Sequence, residues 1–381
     1  MFSDRVLKIE QSSTVSLMNK EEELRKKGLN IVSFSVGEPD FATPVDIINA
    51  AYKAMLEGKT HYTNSNGIEP LRMAIADKYT VENKVNANYK NVIVTPTKLG
   101  LYMAIAAHIN KNDEVLLPDP GWVSYHEMVK LNDGKPVSYT LDESNGYALD
   151  QESIKRKLNK NTKMILINTP SNPTGSILSV DDLRFLNDIA EDNNIIILSD
   201  EIYEKIIYEG EHVSIGSFDK NLDHTIIVNG FSKSYAMTGW RLGYLIASEP
   251  EIYQINKLQQ QTITCSVSFA QYAAVNAFKN MQTVKNMVAE FLKRRNLISK
   301  LLKELGIFEF EVPKATFYIF PKFDYKNMND LEFTEYLLDK AQVSLTPGSA
   351  FGENGKDHVR FSFATNTENI EEGIRRIKNA L

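Results

Sequence analysis

Apolar positions recur at helical spacing in some stretches of the chain and gather into short unbroken runs in others. Helical spacing covers residues 15 to 28, 46 to 57, 69 to 82, 99 to 109, 122 to 131, 151 to 158 and 180 to 193. In the first of these Leu17, Met18 and Leu24 form the stripe and Gly28 is a C-cap candidate; Ile31 to Val36 then reads as a strand. Further runs are Val92 to Thr95, Glu114 to Leu117, Lys135 to Tyr139, Met164 to Asn168, Ile195 to Ser199, Thr225 to Asn229 and Gly243 to Ala247. Strand alternating with helix over about 200 residues predicts an α/β layer with a mostly parallel sheet flanked by helices. A binding site in such a layer lies at the carboxyl ends of the strands.

Past Ser268 the helical pattern continues, and Met281 to Gly306 reads as one long amphipathic helix. It leads to short runs at Phe308 to Val312, Phe317 to Phe320, Val343 to Leu345 and Val359 to Phe363, closed by a helix from Glu368 to Leu381. This alternation predicts a second, smaller α/β domain, in keeping with a length of 381 residues.

Charge narrows the partners. Forty-three Lys and Arg stand against 49 Asp and Glu, a net charge of −6 with no basic block, which argues against nucleic acid and for a small substrate. The single cysteine, Cys265, has no partner for an intrachain disulfide or a C-x-x-C site, so a reducing compartment is expected. The opening MFSDRVLKIEQSS lacks an apolar core of the signal-peptide kind, and runs such as Ile195 to Leu198 are too short to span a bilayer. The expectation is a cytoplasmic protein without a membrane partner. Gly58-Lys59-Thr60 lacks the preceding glycine of a P-loop, and His126-Glu127 lacks the second histidine of a zinc-protease helix, so no metal is expected.

The most informative segment follows the run Thr225 to Asn229: Gly230-Phe231-Ser232-Lys233-Ser234-Tyr235-Ala236-Met237-Thr238-Gly239-Trp240-Arg241-Leu242-Gly243-Tyr244. A lysine in a turn of small and aromatic residues, eight positions before an arginine, suits an amine that condenses with a carbonyl beside a cationic phosphate clamp. Asp200 follows an apolar run, so its carboxylate belongs either at the sheet's edge or at a helix N-cap. Asn172 in Ser-Asn-Pro-Thr-Gly and Gly37 in Val-Gly-Glu-Pro read as turn residues, and Arg360 between apolar neighbours requires an anionic partner.

Phe-Ser-Lys-Ser-Tyr-Ala-Met-Thr-Gly-Trp-Arg-Leu-Gly-Tyr resembles the pyridoxal-phosphate lysine segment of the class I/II aminotransferases, which have the fold of type I pyridoxal-phosphate enzymes. The likeness extends through S-V-G-E-P-D-F at 35 to 41, S-N-P-T-G at 171 to 175, S-D-E-I-Y at 199 to 203 and H-V-R-F-S at 358 to 362, and favours the bacterial and archaeal aspartate aminotransferase branch. It implies pyridoxal 5'-phosphate held by Lys233, which also shuttles the substrate proton. Asp200 then pairs with the pyridine nitrogen, Tyr203 and Asn172 with the phenolic oxygen, and Ser232 and Arg241 with the phosphate, while Trp122 stacks on the ring. Arg360 takes the substrate α-carboxylate and Gly37 presents backbone to the substrate. Tyr62 matches a tyrosine that reaches the phosphate of the neighbouring subunit, which implies a homodimer with shared active sites. With this fold, residues 1–12 form an arm, 13–44 with 282–381 the small domain and 45–281 the large one.

One departure stands at Pro96-Thr97-Lys98, where the family usually has Gly-Ala-Lys or Gly-Gly-Lys. Proline offers no N–H, yet Thr97 and Lys98 remain to present amides to the phosphate at a helix start. Lys98 also matches a lysine near the distal carboxylate of an acidic substrate and Thr14 a hydroxyl residue close by, favouring aspartate with 2-oxoglutarate as acceptor in a ping-pong reaction. Aromatic amino acids or prephenate remain alternative substrates, and β-elimination with the same cofactor an alternative reaction. A ligand-sensing module of a transcription regulator fits less well: the net charge is acidic, and the first helix expected begins near residue 15, with no DNA-binding domain ahead of it.

Overall fold

A computed structural model describes residues 2–11 and 13–381, with the side chains of residues 13 and 14 outside the description. The strands in chain order are β1 Val32–Ser33, β2 Val92–Thr95, β3 Glu114–Asp119, β4 Lys135–Asp142, β5 Ala148–Leu149, β6 Thr162–Asn168, β7 Ile196–Asp200, β8 Thr225–Gly230 and β9 Gly243–Ile246. Then follow β10 Phe308–Glu309, β11 Tyr318–Ile319, β12 Lys322–Phe323, β13 Val343–Ser344, β14 Thr346–Pro347 and β15 Val359–Ser362.

Strands β2 to β9 form one sheet in the order β2-β9-β8-β7-β6-β3-β4-β5. β3, β4, β6, β7 and β8 run parallel, whereas β9 lies antiparallel between β2 and β8 and β5 antiparallel on β4. The central strands are buried at every position or nearly so, because helices cover both faces, and that is why their sequences are unbroken apolar runs rather than alternating ones. The register sets Asn168 beside Asp200, and Asp200 beside Val228, at the carboxyl edge.

A separate core gathers Phe34, Phe291, Phe317, Phe361 and Phe363, into which Ile202, Tyr203 and Ile206 project from the loop after β7. Here β1 pairs parallel with β13, and β15 lies between β11 and β14. The long helix is Met281–Leu305, ended by Gly306 at φ 74°.

Several expectations shift. The helix expected over 15 to 28 spans Ser13–Lys26, with Gly28 beyond its end at φ 87°, and the strand expected over 31 to 36 is only Val32–Ser33. The run expected over Phe308 to Val312 pairs only to Glu309; Pro313 further on cannot donate to a ladder. Within the arm, Asp4–Lys8 is helical, Arg5 Nε donates to Asp133 at 2.9 Å and the Glu10 amide to Glu127 at 2.9 Å. Helices Glu249–Thr262 and Asp330–Ala341 add to those read from the sequence.

Behind β7 lies a buried ionic network. Lys78 Nζ donates to Glu204, which also accepts from Asn83 Nδ2 at 3.1 Å. Glu201 accepts from Ser199 at 3.1 Å, Ser214 at 2.8 Å and Tyr79 at 3.4 Å, and His212 Nε2 stands 3.2 Å from it. Burial raises the Glu204 pKa, but the Lys78 and Lys205 charges outweigh it and hold the carboxyl at about 2. The Glu204 carboxylate therefore contributes stability in full above the ordinary carboxylate range and loses it as pH falls from there towards 2. Lys78→Met strands the Glu204 charge and is expected to cost about 3 kcal/mol or more at neutral pH. Urea denaturation at pH 7 checks this by a lowered midpoint; an unchanged midpoint contradicts it.

Candidate active site

Four chain segments converge where the parallel strands end. β7 stops at Asp200, and β8 runs into the turn that carries Ser232 and Lys233. The helix Thr97–His108 begins after β2, and β15 brings Arg360 from the second core. Together they enclose a cavity of about 390 Å³. Its walls include Gly37, Thr97, Lys98, Trp122, Asn172, Asp200, Tyr203, Ser232, Lys233, Arg241 and Arg360, so eleven of the residues singled out in the sequence meet in one space.

Lys233 Nζ donates to the Gly37 carbonyl at 2.6 Å. Burial above all, with the Arg360 and Arg241 charges, brings its pKa down to about 8 against the opposing pull of Glu38 and Asp200. Asp200 caps no helix: it ends its strand, and its Oδ1 accepts from the Ile202 amide at 3.2 Å while Oδ2 accepts from Tyr125 Oη at 2.8 Å. Burial outweighs these bonds and the Lys233 charge and lifts the carboxyl to about 6. A buried carboxylate with neutral donors and one lysine is a strong place for a further protonated nitrogen.

The opposite wall gathers positive charge. Thr97 opens its helix with Pro96 at the N-cap. The helix can start there because Gly243 lies beneath it: a Cβ on Gly243 would stand 2.3 Å from Thr97 Oγ1 and 3.0 Å from Thr97 N. Free amides, Ser232 and the exposed cations Lys98 and Arg241 thus share one end of the cavity. Arg241 adopts φ 53°, a left-handed conformation costly for a residue with a Cβ, and donates to the Thr238 carbonyl at 2.8 Å. Lys98 Nζ sits 4.7 Å above the Trp122 ring; partial desolvation there, then the Arg241 charge, hold its pKa below the ordinary lysine value.

Arg360 is 2% exposed. Its NH1 donates to Asn172 Oδ1 at 3.0 Å and its NH2 to the Ser35 carbonyl at 2.5 Å and Thr346 Oγ1 at 3.3 Å, while Nε is buried without a partner. Tyr318 and Phe351 pack against the guanidinium at 4.4 and 5.0 Å. No carboxylate of the described residues lies within salt-bridge distance, so the anion that the sequence demanded must come from outside the chain.

Tyr62 lies apart from the cavity, 85% exposed. Thr14 falls in the helix Ser13–Lys26, its side chain outside the described residues. Residues that the sequence reading passed over also line the space: Tyr125, bonded to Asp200; Asn168, whose Nδ2 donates to the Asp200 carbonyl at 2.9 Å and whose Oδ1 accepts the Asn172 amide at 2.8 Å; Tyr318; and Glu38, which accepts from Thr238. Asn168 is findable from sequence as the last residue of a parallel strand. Tyr318 carries no such signal. Glu201, Glu204 and His212 form the group of potential metal ligands among the described residues, but the Lys78 ammonium already takes the cation's place beside Glu204.

The arrangement offers a nucleophilic amine, a buried anion, an anion-binding helix start and a buried guanidinium around one small volume. The family described as "Aminotransferase class I and II" matches residues 30–377 of the chain. An aspartate aminotransferase of Pyrococcus horikoshii is 39% identical over 100% of this chain and 97% of its own length. An aromatic-amino-acid aminotransferase of Thermococcus litoralis is 40% identical, covering 92% of each. The Thermus thermophilus aspartate aminotransferase solved with maleate superposes over 100% of both chains with a TM-score of 0.96 at 34% identity.

Lys233 is protonated below about pH 8 and neutral above it, so its reaction with aldehydes rises as pH passes through that value, well before ordinary lysines respond. Reductive trapping of a small aldehyde on the cofactor-free protein, with peptide mass spectrometry across pH 6 to 10, is expected to label Lys233 first, with a midpoint near 8; labelling that tracks the surface lysines contradicts this.

Proposed function

We propose, from the premise that this chain belongs to the class I and II aminotransferases, that it moves the amino group of an L-amino acid, aspartate above others, to 2-oxoglutarate in a ping-pong sequence. Its cofactor is pyridoxal 5'-phosphate, which when bound supplies an aldehyde that condenses with amines and a protonated ring that draws electrons from the substrate carbon. The donor set fits that group: an amine, a buried carboxylate and an anion-binding helix start with Arg241 beside it line the same cavity.

In this reading Lys233 would hold the cofactor through Nζ, and its neutral amine, once free, would carry the proton from substrate Cα to the cofactor's C4′. Asp200 keeps a proton on the pyridine nitrogen; its burial among neutral donors supports this. Tyr203 and Asn172 hydrogen-bond the phenolic oxygen, Trp122 packs on the ring, and the amides of Thr97 and Lys98 with Ser232 and Arg241 hold the phosphate, leaving the Lys98 ammonium to the substrate. Arg360 grips the α-carboxylate in a fork held by Asn172, Ser35 and Thr346, with Gly37 carrying backbone alongside.

The observation that carries the aspartate reading is a second cation: Lys98 stands in the same cavity as Arg360, so a dicarboxylate can satisfy both. That Thr14 joins Lys98 in reading the distal carboxylate is part of this proposal. The Thermus relative's complex with the dicarboxylate maleate supports it. An aromatic donor is the second reading, favoured by Met18, Leu101 and Trp122 in the wall and by the Thermococcus relative.

Two further assignments belong to this reading. A homodimer with Tyr62 reaching the partner's phosphate is supported by the exposure of Tyr62 and by the helix Val45–Leu56, which exposes Val45, Ile48, Tyr52, Met55 and Leu56 while burying Ile47, Ala51 and Ala54. A small domain of 13–44 with 282–381 and a large one of 45–281 is supported by their separate apolar cores. No helix of the described residues is long and apolar enough to cross a membrane, and with Cys265 unpaired a cytoplasmic location follows as part of the proposal.

Adding aspartate to the yellow holoenzyme is expected to convert its absorbance to the amine form of the cofactor and release the matching oxo acid, identified by mass spectrometry. Lys233→Ala abolishes turnover, and Lys98→Met raises KM for aspartate by about tenfold or more while leaving phenylalanine little changed. Conversion by phenylalanine alone overturns the aspartate assignment and leaves the transamination intact.

A further inference from the structure

We propose that Tyr318 is a positioning residue for Tyr203, and that the bond between their hydroxyls couples the tuning of the cofactor to the core that carries Arg360. The inference rests on the reading of Tyr203 as the partner of the cofactor's phenolic oxygen.

The two hydroxyls stand 2.9 Å apart, both side chains being buried. Tyr203 comes from the loop after β7, but Tyr318 lies on β11, paired through Tyr318↔Ser362 and Ile319↔Phe361 with the strand that bears Arg360. The same Tyr318 ring lies 4.4 Å beneath the Arg360 guanidinium. One side chain therefore touches the group that reads the α-carboxylate with its face and the group that tunes the cofactor with its hydroxyl.

Each phenol owns one proton. If Tyr203 gives its own to the cofactor oxygen, Tyr318 must donate to Tyr203, and a hydroxyl that accepts a hydrogen bond becomes a stronger donor. Burial keeps both phenols protonated well past neutral pH, so the chain of donation persists through the working range. Tyr318 is also hemmed in: a Cβ on Gly37 would stand 2.2 Å from its Oη, so Gly37 lets the backbone that accepts from Lys233 pass beside the phenol pair. A small shift of β11 thus changes the donor strength of Tyr203 as well as the seat of Arg360.

The test uses the holoenzymes of Tyr318→Phe, Tyr203→Phe and the double variant. Phenylalanine keeps the ring under Arg360 and removes only the hydroxyl. The readout is the pH midpoint of the lysine-bound cofactor's visible absorbance, with thermal midpoints to check folding. Donation to the phenolic oxygen stabilises it as an anion and weakens its hold on the neighbouring nitrogen's proton, so loss of donor strength raises the midpoint. Tyr203→Phe is expected to raise it most, Tyr318→Phe by about 0.5 pH units, and the double variant no more than Tyr203→Phe alone. Tyr318→Phe with a wild-type midpoint, or an equal added shift in the Tyr203→Phe background, overturns the proposal while leaving Tyr203's role standing. No shift in Tyr203→Phe overturns that reading and the proposal with it.

Discussion

The cavity is organised around charges that the chain itself leaves incompletely paired. Arg360 is buried against two aromatic rings with only neutral acceptors, and Asp200 is buried with two neutral donors and the charge of Lys233. Burying an ion without its partner costs several kcal/mol, roughly the scale of a whole protein's stability margin. Such a cost is tolerated where ligands offset it, and under the proposed function a pyridine nitrogen beside Asp200 and a carboxylate at Arg360 would restore neutrality. Affinity and orientation arise from the same deficit.

Holding those charges in place demands a rigid frame, and the sheet supplies it. Asp200 is pinned by its register beside Asn168, whose side chain bonds the Asp200 carbonyl and the Asn172 amide, and Asn172 in turn receives Arg360. Behind this edge Glu204 is buried against the Lys78 ammonium and Glu201 against the hydroxyls of Ser199, Ser214 and Tyr79. Tyr79 joins Glu201 to Asn229, whose Oδ1 accepts the Gly230 amide just ahead of Lys233. One hydrogen-bonded layer thus reaches from the Lys78–Glu204 pair to the turn that carries Lys233.

Much of this was legible in the sequence because the central strands are buried on both faces and so have to be written as runs such as Ile195 to Leu198. The helix Glu249–Thr262 escaped notice because it buries little beyond Ile252, Ile255 and Gln259, too thin a stripe to read as amphipathic. Asp330–Ala341 was readable in principle: Asn329 and Glu332 form a capping box before Phe333 and Leu337. Lys233, Asp200 and Arg360 stood out through local pattern and family likeness. Tyr125 and Tyr318 did not, since each owes its place to contacts more than 70 positions away along the chain, with Asp200 and with Tyr203.

The seam between the two cores carries the remaining logic. Thr43 Oγ1 donates to the Ala236 carbonyl at 2.8 Å and accepts from Trp240 Nε1 at 3.0 Å, and Glu38 accepts from Thr238, so the segment following Phe34 is fastened to the lysine turn. The same segment gives its Ser35 carbonyl to Arg360 and its Gly37 carbonyl to Lys233. Residues 35 to 43 therefore touch the buried guanidinium, the lysine amine and the turn that presents it. Arg360 and Lys233 lean on one strap of backbone, and because that strap runs from the core around Phe34 to the turn after β8, the cavity takes its walls from both cores.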